Sequence, residues 1–224
     1  PLGPTSFGDS PYASFSAFAG NPYFIDLDML IEEGLLTKEF VDSKRWNIED
    51  QYVDYGLVYN SRFEVLRVAY ENSNHKELNE YKEFFTENEF WLEDYSLYRA
   101  CKDKYEGRPW SEWDKEIKFR EAETVGAFKE ELKDDMDFYK FIQFKFNEQW
   151  CKLKEYANEN GILIIGDIPI YVAMDSADVW QNTGMFQLDE ELNPKKVAGV
   201  PPDAFSDLGQ RWGNPLYDWD KMEA

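Results

Sequence analysis

The chain has 224 residues, with 24 Lys and Arg against 45 Asp and Glu, a formal net charge of −21, 43% hydrophobic and 17% aromatic content. Such a length builds one substantial domain with a buried core, and this hydrophobic content excludes intrinsic disorder, which pairs high charge with few apolar residues. The acidity argues against a nucleic-acid or anionic-membrane binder, because those surfaces are held by Lys and Arg; it suits a neutral or cationic partner.

No run reaches the ~18 apolar residues of a membrane-spanning helix. Cys101 and Cys151 lie far apart without a CxxC spacing, which points away from a disulfide framework or a zinc site and toward a reducing, cytoplasmic setting. The single histidine, His75, offers no multi-histidine metal cluster; flanked by Asn74 and Lys76, it reads as a surface residue. The sequence opens Pro1-Leu2-Gly3-Pro4 without an initiator methionine, so the expectation is an internal piece of a longer polypeptide, with any targeting segment out of view.

Taken in order, residues 1–34 are rich in Gly, Pro, Ser and aromatics and carry little charge before Asp26. They lack a helical period and read as a long ordered loop, anchored by Phe7, Tyr12, Phe15, Phe18 and Tyr23, with a short segment Tyr23–Leu27 after it. Residues 35 to about 157 read as helical. Tyr81, Phe84, Phe85, Trp91, Leu92, Tyr95 and Tyr98 recur at three- and four-residue spacing, and Gly107-Arg108-Pro109 breaks the run. A longer helix follows with Phe138, Phe141, Ile142, Phe144, Lys145, Trp150, Leu153 and Tyr156 along one side, ending at Asn160-Gly161. From Gly161 to Val172 a continuous apolar run reads as a strand buried on both faces, the αβ step of an α/β fold. Polar and aromatic loop text then runs to Trp212-Gly213-Asn214-Pro215-Leu216-Tyr217.

Asp167 stands out, because a carboxylate in a strand that otherwise admits only apolar side chains costs several kcal/mol unless paired or facing a cleft. At a strand end it reads either as a site residue or as a structural cap. Asp175-Ser176 reads as the cap of a short helix; the spacing of Asp175, Asp178 and Asp189 lacks the pattern of a calcium loop. Gln210-Arg211-Trp212-Gly213-Asn214 sets a flat aromatic among amides and a guanidinium, a surface suited to the C–H faces and hydroxyl rims of sugars. Asp9, Ser10, Tyr12 and Asn21 offer the same mix in the first loop. Among so many acidic residues, spacing cannot select the carboxylate pair that glycosyl chemistry requires.

Three long blocks, PLGPTSFGDSPYASFSAFAGNPYFIDL, GDIPIYVAMDSADVW and VAGVPPDAFSDLGQRWGNPLYDW, closely resemble the 4-α-glucanotransferases of glycoside hydrolase family 77, the amylomaltases or disproportionating enzymes. VDYGLVYN and FWLEDYSLYRA extend the likeness through the helical middle. The resemblance implies an α/β fold: a partial (β/α)8 TIM barrel, from the end of strand 2 through strand 3 and its loop, with a helical insertion. Its implied divisions are 1–34, the end of strand 2 and an active-site loop; 35–125, the helical insertion; and 126–224, a barrel helix, strand 3 and a substrate-binding loop. It further implies transfer of α-1,4-glucan segments by retaining double displacement, with malto-oligosaccharide as the partner and no metal or organic cofactor. Carried over by position, the substrate contacts fall on Ser10, Tyr12, Asp167, Phe205, Gln210, Trp212 and Asn214.

Three departures accompany the likeness. An RIDHFRG-like block, where the family keeps its nucleophilic aspartate, does not occur here, so no catalytic residue is assigned and the chain alone is expected to be inactive. Many relatives have Tyr-Phe where this chain reads Ala204-Phe205, removing half of an aromatic gate. Phe7, in place of a frequent Tyr, would mark a surface groove together with Tyr59. The alternative readings are a hydrolase or branching enzyme of the α-amylase group and a non-catalytic glucan-binding chain.

Overall fold

Helix α7, Lys133–Glu159, is the organising element. Its apolar positions are broad enough to serve two neighbours, so it packs on both sides rather than along a single stripe. Phe138, Phe141 and Ile142 meet Val65, Leu66 and Ala69 of α3 (Tyr55–Glu71), with Leu30 of α1 (Leu27–Glu32) closing that core. Met136 and Phe144 belong to a second core with Phe84, Trp91, Leu92, Tyr95 and Tyr98 of α4 (Asn79–Lys104), which also takes in Trp110, Trp113 and Ile117. The computed structural model describes residues 1–49 and 51–222.

The shorter helices follow local signals. Asp26 caps α1, Thr37 caps α2 (Lys38–Asp42) and Asp54 caps α3, each side chain accepting backbone N–H groups of the first turn. Between α4 and α7 come α5 (Lys115–Lys118) and α6 (Ala122–Glu131). The expected break after α4 is present, as is the stop after α7. Gly161 there has φ 73°, its N–H bonds Asn158 O at 2.9 Å, and Ile162 N–H bonds Ala157 O at 2.9 Å, the paired closure that a left-handed C′ residue allows.

Lysines inside this helical body are paired. Lys145 bonds Glu33 at 2.6 Å and Glu148 at 2.9 Å, and Lys140 bonds Glu93. Losing one partner of such a pair strands a buried charge, at ~3–5 kcal/mol.

The first loop is laid against α7 by two glutamines. Gln143 accepts from Gly20 N–H at 2.7 Å and donates to Gly20 O at 3.0 Å; Gln149 does the same for Asp26, at 2.7 and 3.0 Å. A primary amide matches one residue's donor and acceptor, so each glutamine stands in for a strand partner. Gly20 is required by proximity, since a Cβ there would lie 2.0 Å from the Phe146 ring. The segment after the loop, expected at Tyr23–Leu27, is a 3-10 turn Pro22–Phe24 leading into α1.

Four expectations need correction. The run from Gly161 to Val172 is not a buried strand: no ladder partner lies beside it among the described residues, and Leu163, Ile165 and Ile168 are 83%, 95% and 84% exposed. A strand is made by its neighbours' backbone, and among the described residues the only ladder joins β1 (Val197–Val200) to β2 (Gln210–Pro215), antiparallel. The text read as loop therefore holds a hairpin. On α7, Leu153 and Tyr156 continue the expected apolar side but are exposed, 55% and 67%. His75 is buried at 3% exposure, its Nδ1 2.7 Å from Ser73 Oγ and its ring among Tyr70, Tyr81 and Phe141. The architecture is a mostly helical α/β fold with a small two-stranded sheet, completed by α8 (Ala177–Gln181) and α9 (Trp219–Met222). No described helix is long and apolar enough to cross a membrane.

Candidate functional site

The first loop folds back on itself. Thr5 and Ser14 form an antiparallel bridge, Ser6 N–H bonds Ala13 O at 2.9 Å, and Thr5 Oγ1 donates to Asp9 at 3.0 Å. Ser10 Oγ accepts from Tyr12 N–H at 3.3 Å, a serine turn that presents the Tyr12 side chain. Tyr12 is 57% exposed, and its hydroxyl donates to Asp167 Oδ2 at 2.8 Å. That hydrogen bond, with the charge of the same carboxylate, holds the phenol above its ordinary pKa.

The opposite wall is β2. Gln210, Trp212 and Asn214 all face the cleft, although the strand is irregular there, with Gly213 at φ 84°. Trp212 Nε1 donates to Gln210 Oε1 at 3.1 Å, and Asn214 Nδ2 donates to Val172 O at 2.8 Å. Between the walls the segment from Pro169 to Met174 forms the floor. Tyr171 meets Trp212 edge-on at 6.4 Å and stacks on Tyr217 at 5.9 Å. The result is an open cleft of about 630 Å³ lined by Ser10, Tyr12, Tyr171, Gln210, Trp212 and Asn214, among others.

Of the expected site residues, Ser10, Tyr12, Gln210, Trp212 and Asn214 come together in this cleft, although the first two and the last three are separated by almost the whole chain. Asp167 is exposed and lines the neighbouring cavity of about 300 Å³ that also takes in Trp91 and Trp150; its hydrogen bond to Tyr12 marks the boundary. Phe205 lies outside the cleft. It is 94% exposed on the loop between β1 and β2, which Asp203 shapes by accepting from the Phe205 and Ser206 N–H groups, both at 2.9 Å.

The expected cap at Asp175-Ser176 resolves onto Ser176, whose hydroxyl accepts from Val179 N–H at 3.3 Å. Asp175 turns instead toward α4. Tyr171 and Met174, both lining the cleft, escape notice in the sequence: Tyr171 sits in the apolar run and reads as strand interior, and Met174 falls just beyond it in text read as loop. Tyr59 borders a separate cavity with Arg99 and Lys102, and the Phe7 side chain of the suggested groove lies outside the described residues. No cluster of three or more His, Cys, Asp or Glu able to hold a metal occurs among the described residues.

The cleft thus sets an aromatic side chain beside amides and hydroxyls, with a carboxylate at its boundary, on loops of a helical α/β body. Comparison with known proteins adds the family. The family model described as 4-alpha-glucanotransferase matches residues 1–224, and the chain belongs to that family, glycoside hydrolase family 77. It is 52% identical over 224 residues to a 4-alpha-glucanotransferase of Clostridium butyricum, covering 100% of this chain and 46% of that protein. One from Thermus thermophilus is 48% identical over 227 residues, with 100% and 44% covered. The amylomaltase of Streptococcus agalactiae, solved in complex with acarbose, superposes with a TM-score of 0.93 at 41% identity, over 100% of this chain and 46% of that one. The chain thus spans about half the length of the relatives it matches.

Proposed function

We propose that the chain carries the glucan-binding wall of a 4-α-glucanotransferase, which moves α-1,4-linked segments between malto-oligosaccharides. The observation that carries this reading is the convergence of Tyr12, Trp212, Gln210 and Asn214 from the two ends of the sequence on one cleft. Trp212, 44% exposed, offers an indole face to the apolar side of a glucose ring, while Ser10, Gln210 and Asn214 meet its hydroxyls. Asp167, tied to Tyr12, takes hydroxyls of the adjoining unit from the neighbouring cavity. Phe205, on its exposed loop, reaches the sugar only when that loop folds inward. The S. agalactiae relative's acarbose complex supports an oligosaccharide as the ligand, and the net charge of −21 is compatible with a neutral one.

In this reading the extended run around Ile165 is a strand of a (β/α)8 barrel whose neighbours come from further polypeptide, a fold that typically takes ~250 residues. Its exposed Leu163, Ile165 and Ile168 are what such neighbours would cover. The parts are then 1–34, loop and strand end; 35–125, helical insertion; and 126–224, barrel helix, strand and binding loop. The nucleophile and acid/base carboxylates of a retaining transfer would come from elsewhere in that polypeptide, and nothing in this cleft calls for a metal. The setting proposed is cytoplasmic.

The test is maltotriose disproportionation. A full-length polypeptide containing this chain should release glucose and form maltopentaose with no net gain in reducing ends. Net gain would indicate a hydrolase, and no reaction on any maltodextrin would refute the reading. The chain by itself should be inactive; turnover by a pure sample would contradict the proposed division of labour.

A further inference from the structure

The Lys102 side chain on α4 is only 8% exposed, yet every ammonium proton has an acceptor: Gly107 O at 2.6 Å, Arg108 O at 3.0 Å and Asp175 Oδ2 at 2.7 Å. The other Asp175 oxygen accepts from the Tyr98 hydroxyl at 2.7 Å and from Trp110 N–H at 3.2 Å. The Trp110 indole N–H donates to Met174 O at 2.7 Å. A buried ion pair is weak evidence for stability, since apolar side chains of similar volume often serve as well. Its location is more telling.

Asp175 follows directly on the segment that floors the cleft. One end of that segment is fixed to α4 through Asp175 and Met174. Its middle supports the opposite wall, because Val172 O accepts from Asn214 and Tyr171 packs against Trp212. Neither Lys102 nor Asp175 lines the cleft, so both would act through the residues they hold.

We propose that Lys102 and Asp175 are positioning residues for the glucan cleft, tying its floor to the helical body and setting the angle at which Trp212 and Asn214 meet a sugar. This rests on the glucan reading above. It also gives the helical region a role in substrate use beyond filling space: helix α4 holds the end of the floor, 73 residues of sequence away.

The test uses the full-length polypeptide and maltotriose, with kcat and KM determined for Lys102→Met and Asp175→Asn. The second variant keeps the shape of the side chain and an acceptor for Tyr98 and Trp110, and serves should Lys102→Met not fold. Either substitution should raise KM about tenfold and leave kcat within about twofold, the signature of lost uniform binding. In a Trp212→Ala background the same substitution should change KM by less than about twofold, because residues acting through a shared element are not additive. An unchanged KM with a lowered Tm, or an effect that adds fully to that of Trp212→Ala, would overturn the proposal and leave the pair a structural one. A parent enzyme that transfers no glucosyl units would instead overturn the glucan reading, and the positioning role with it.

Discussion

In the proposed glucan reading, Trp212 offers the cleft a flat face and Tyr12 a polar edge. Replacing Trp212 by Ala should weaken oligosaccharide use by ~1–3 kcal/mol in kcat/KM, by analogy with the stacking of nucleic-acid bases on aromatic side chains. Stability should barely move, since the indole is 44% exposed. Unaltered kinetics with a lower Tm would make it a packing residue. Tyr12→Phe removes only the hydroxyl that donates to Asp167 at 2.8 Å. Because that contact is exposed, Tm should barely shift, and the effect should appear in KM. His75 behaves in the opposite way. Burial, with lesser help from Lys76 and Lys145 and against Asp137, lowers its pKa from 6.5 to about 4. The unfolded chain therefore binds a proton that the native state refuses, and stability falls as pH drops from 6.5 toward 4. Urea unfolding of wild type and His75→Phe at pH 7 and pH 4.5 checks the sign: the wild type should lose more stability on acidification than the variant, while carboxylates such as Glu148 act on both. Neighbouring residues gave no warning of this burial, because Asn74 and Lys76 face outward while the ring turns into the core formed by α3, α4 and α7.

At the scale of the elements, what could be read in advance depended on how local the cause was. The long helices, the break at Gly107-Arg108-Pro109 and the stop at Gly161 follow from periodicity and turn chemistry within a few residues, and they are present. The β1–β2 hairpin was missed because VAGVPP and QRWGNP lack the alternation that marks a strand, and its pairing is irregular, with a register shift between Val197 and Gly199. The run around Ile165 was read as a strand from composition alone, but pairing is supplied by other backbone and cannot be deduced from the run itself. The cleft was legible in its polar and aromatic residues at both ends of the chain; Tyr171, Met174 and the Lys102–Asp175 pair were not, since their significance comes from contacts across many residues. The glutamine clamps are of the same long-range kind and can be tested. Gly20→Ala places a methyl group against Phe146, and overpacking of this sort costs ~1–3 kcal/mol. It should also loosen the loop bearing Ser10 and Tyr12, so Tm should fall and KM rise together. A fall in Tm with normal substrate use would show that the loop is held by other contacts.

For the molecule as a whole, the exposed apolar run is the feature that most demands an explanation. Soluble proteins seldom leave contiguous apolar surface of this kind without a partner, and Leu163, Ile165 and Ile168 are almost fully exposed. In isolation the chain should bind a hydrophobic dye and self-associate. Leu163→Lys with Ile165→Lys should suppress both without lowering its Tm, and the same pair should prevent folding of the full-length polypeptide. Equal dye binding by parent and double variant would mean that the run is covered in solution by some other arrangement. The cleft itself can be probed in the same polypeptide. A crystal structure of the full-length polypeptide soaked with maltoheptaose tests it most directly. A glucose ring should lie on Trp212 with hydroxyls in hydrogen-bond reach of Gln210, Asn214 and Asp167; an ordered oligosaccharide bound elsewhere, with this cleft left to solvent, would rule out the glucan role of the cleft.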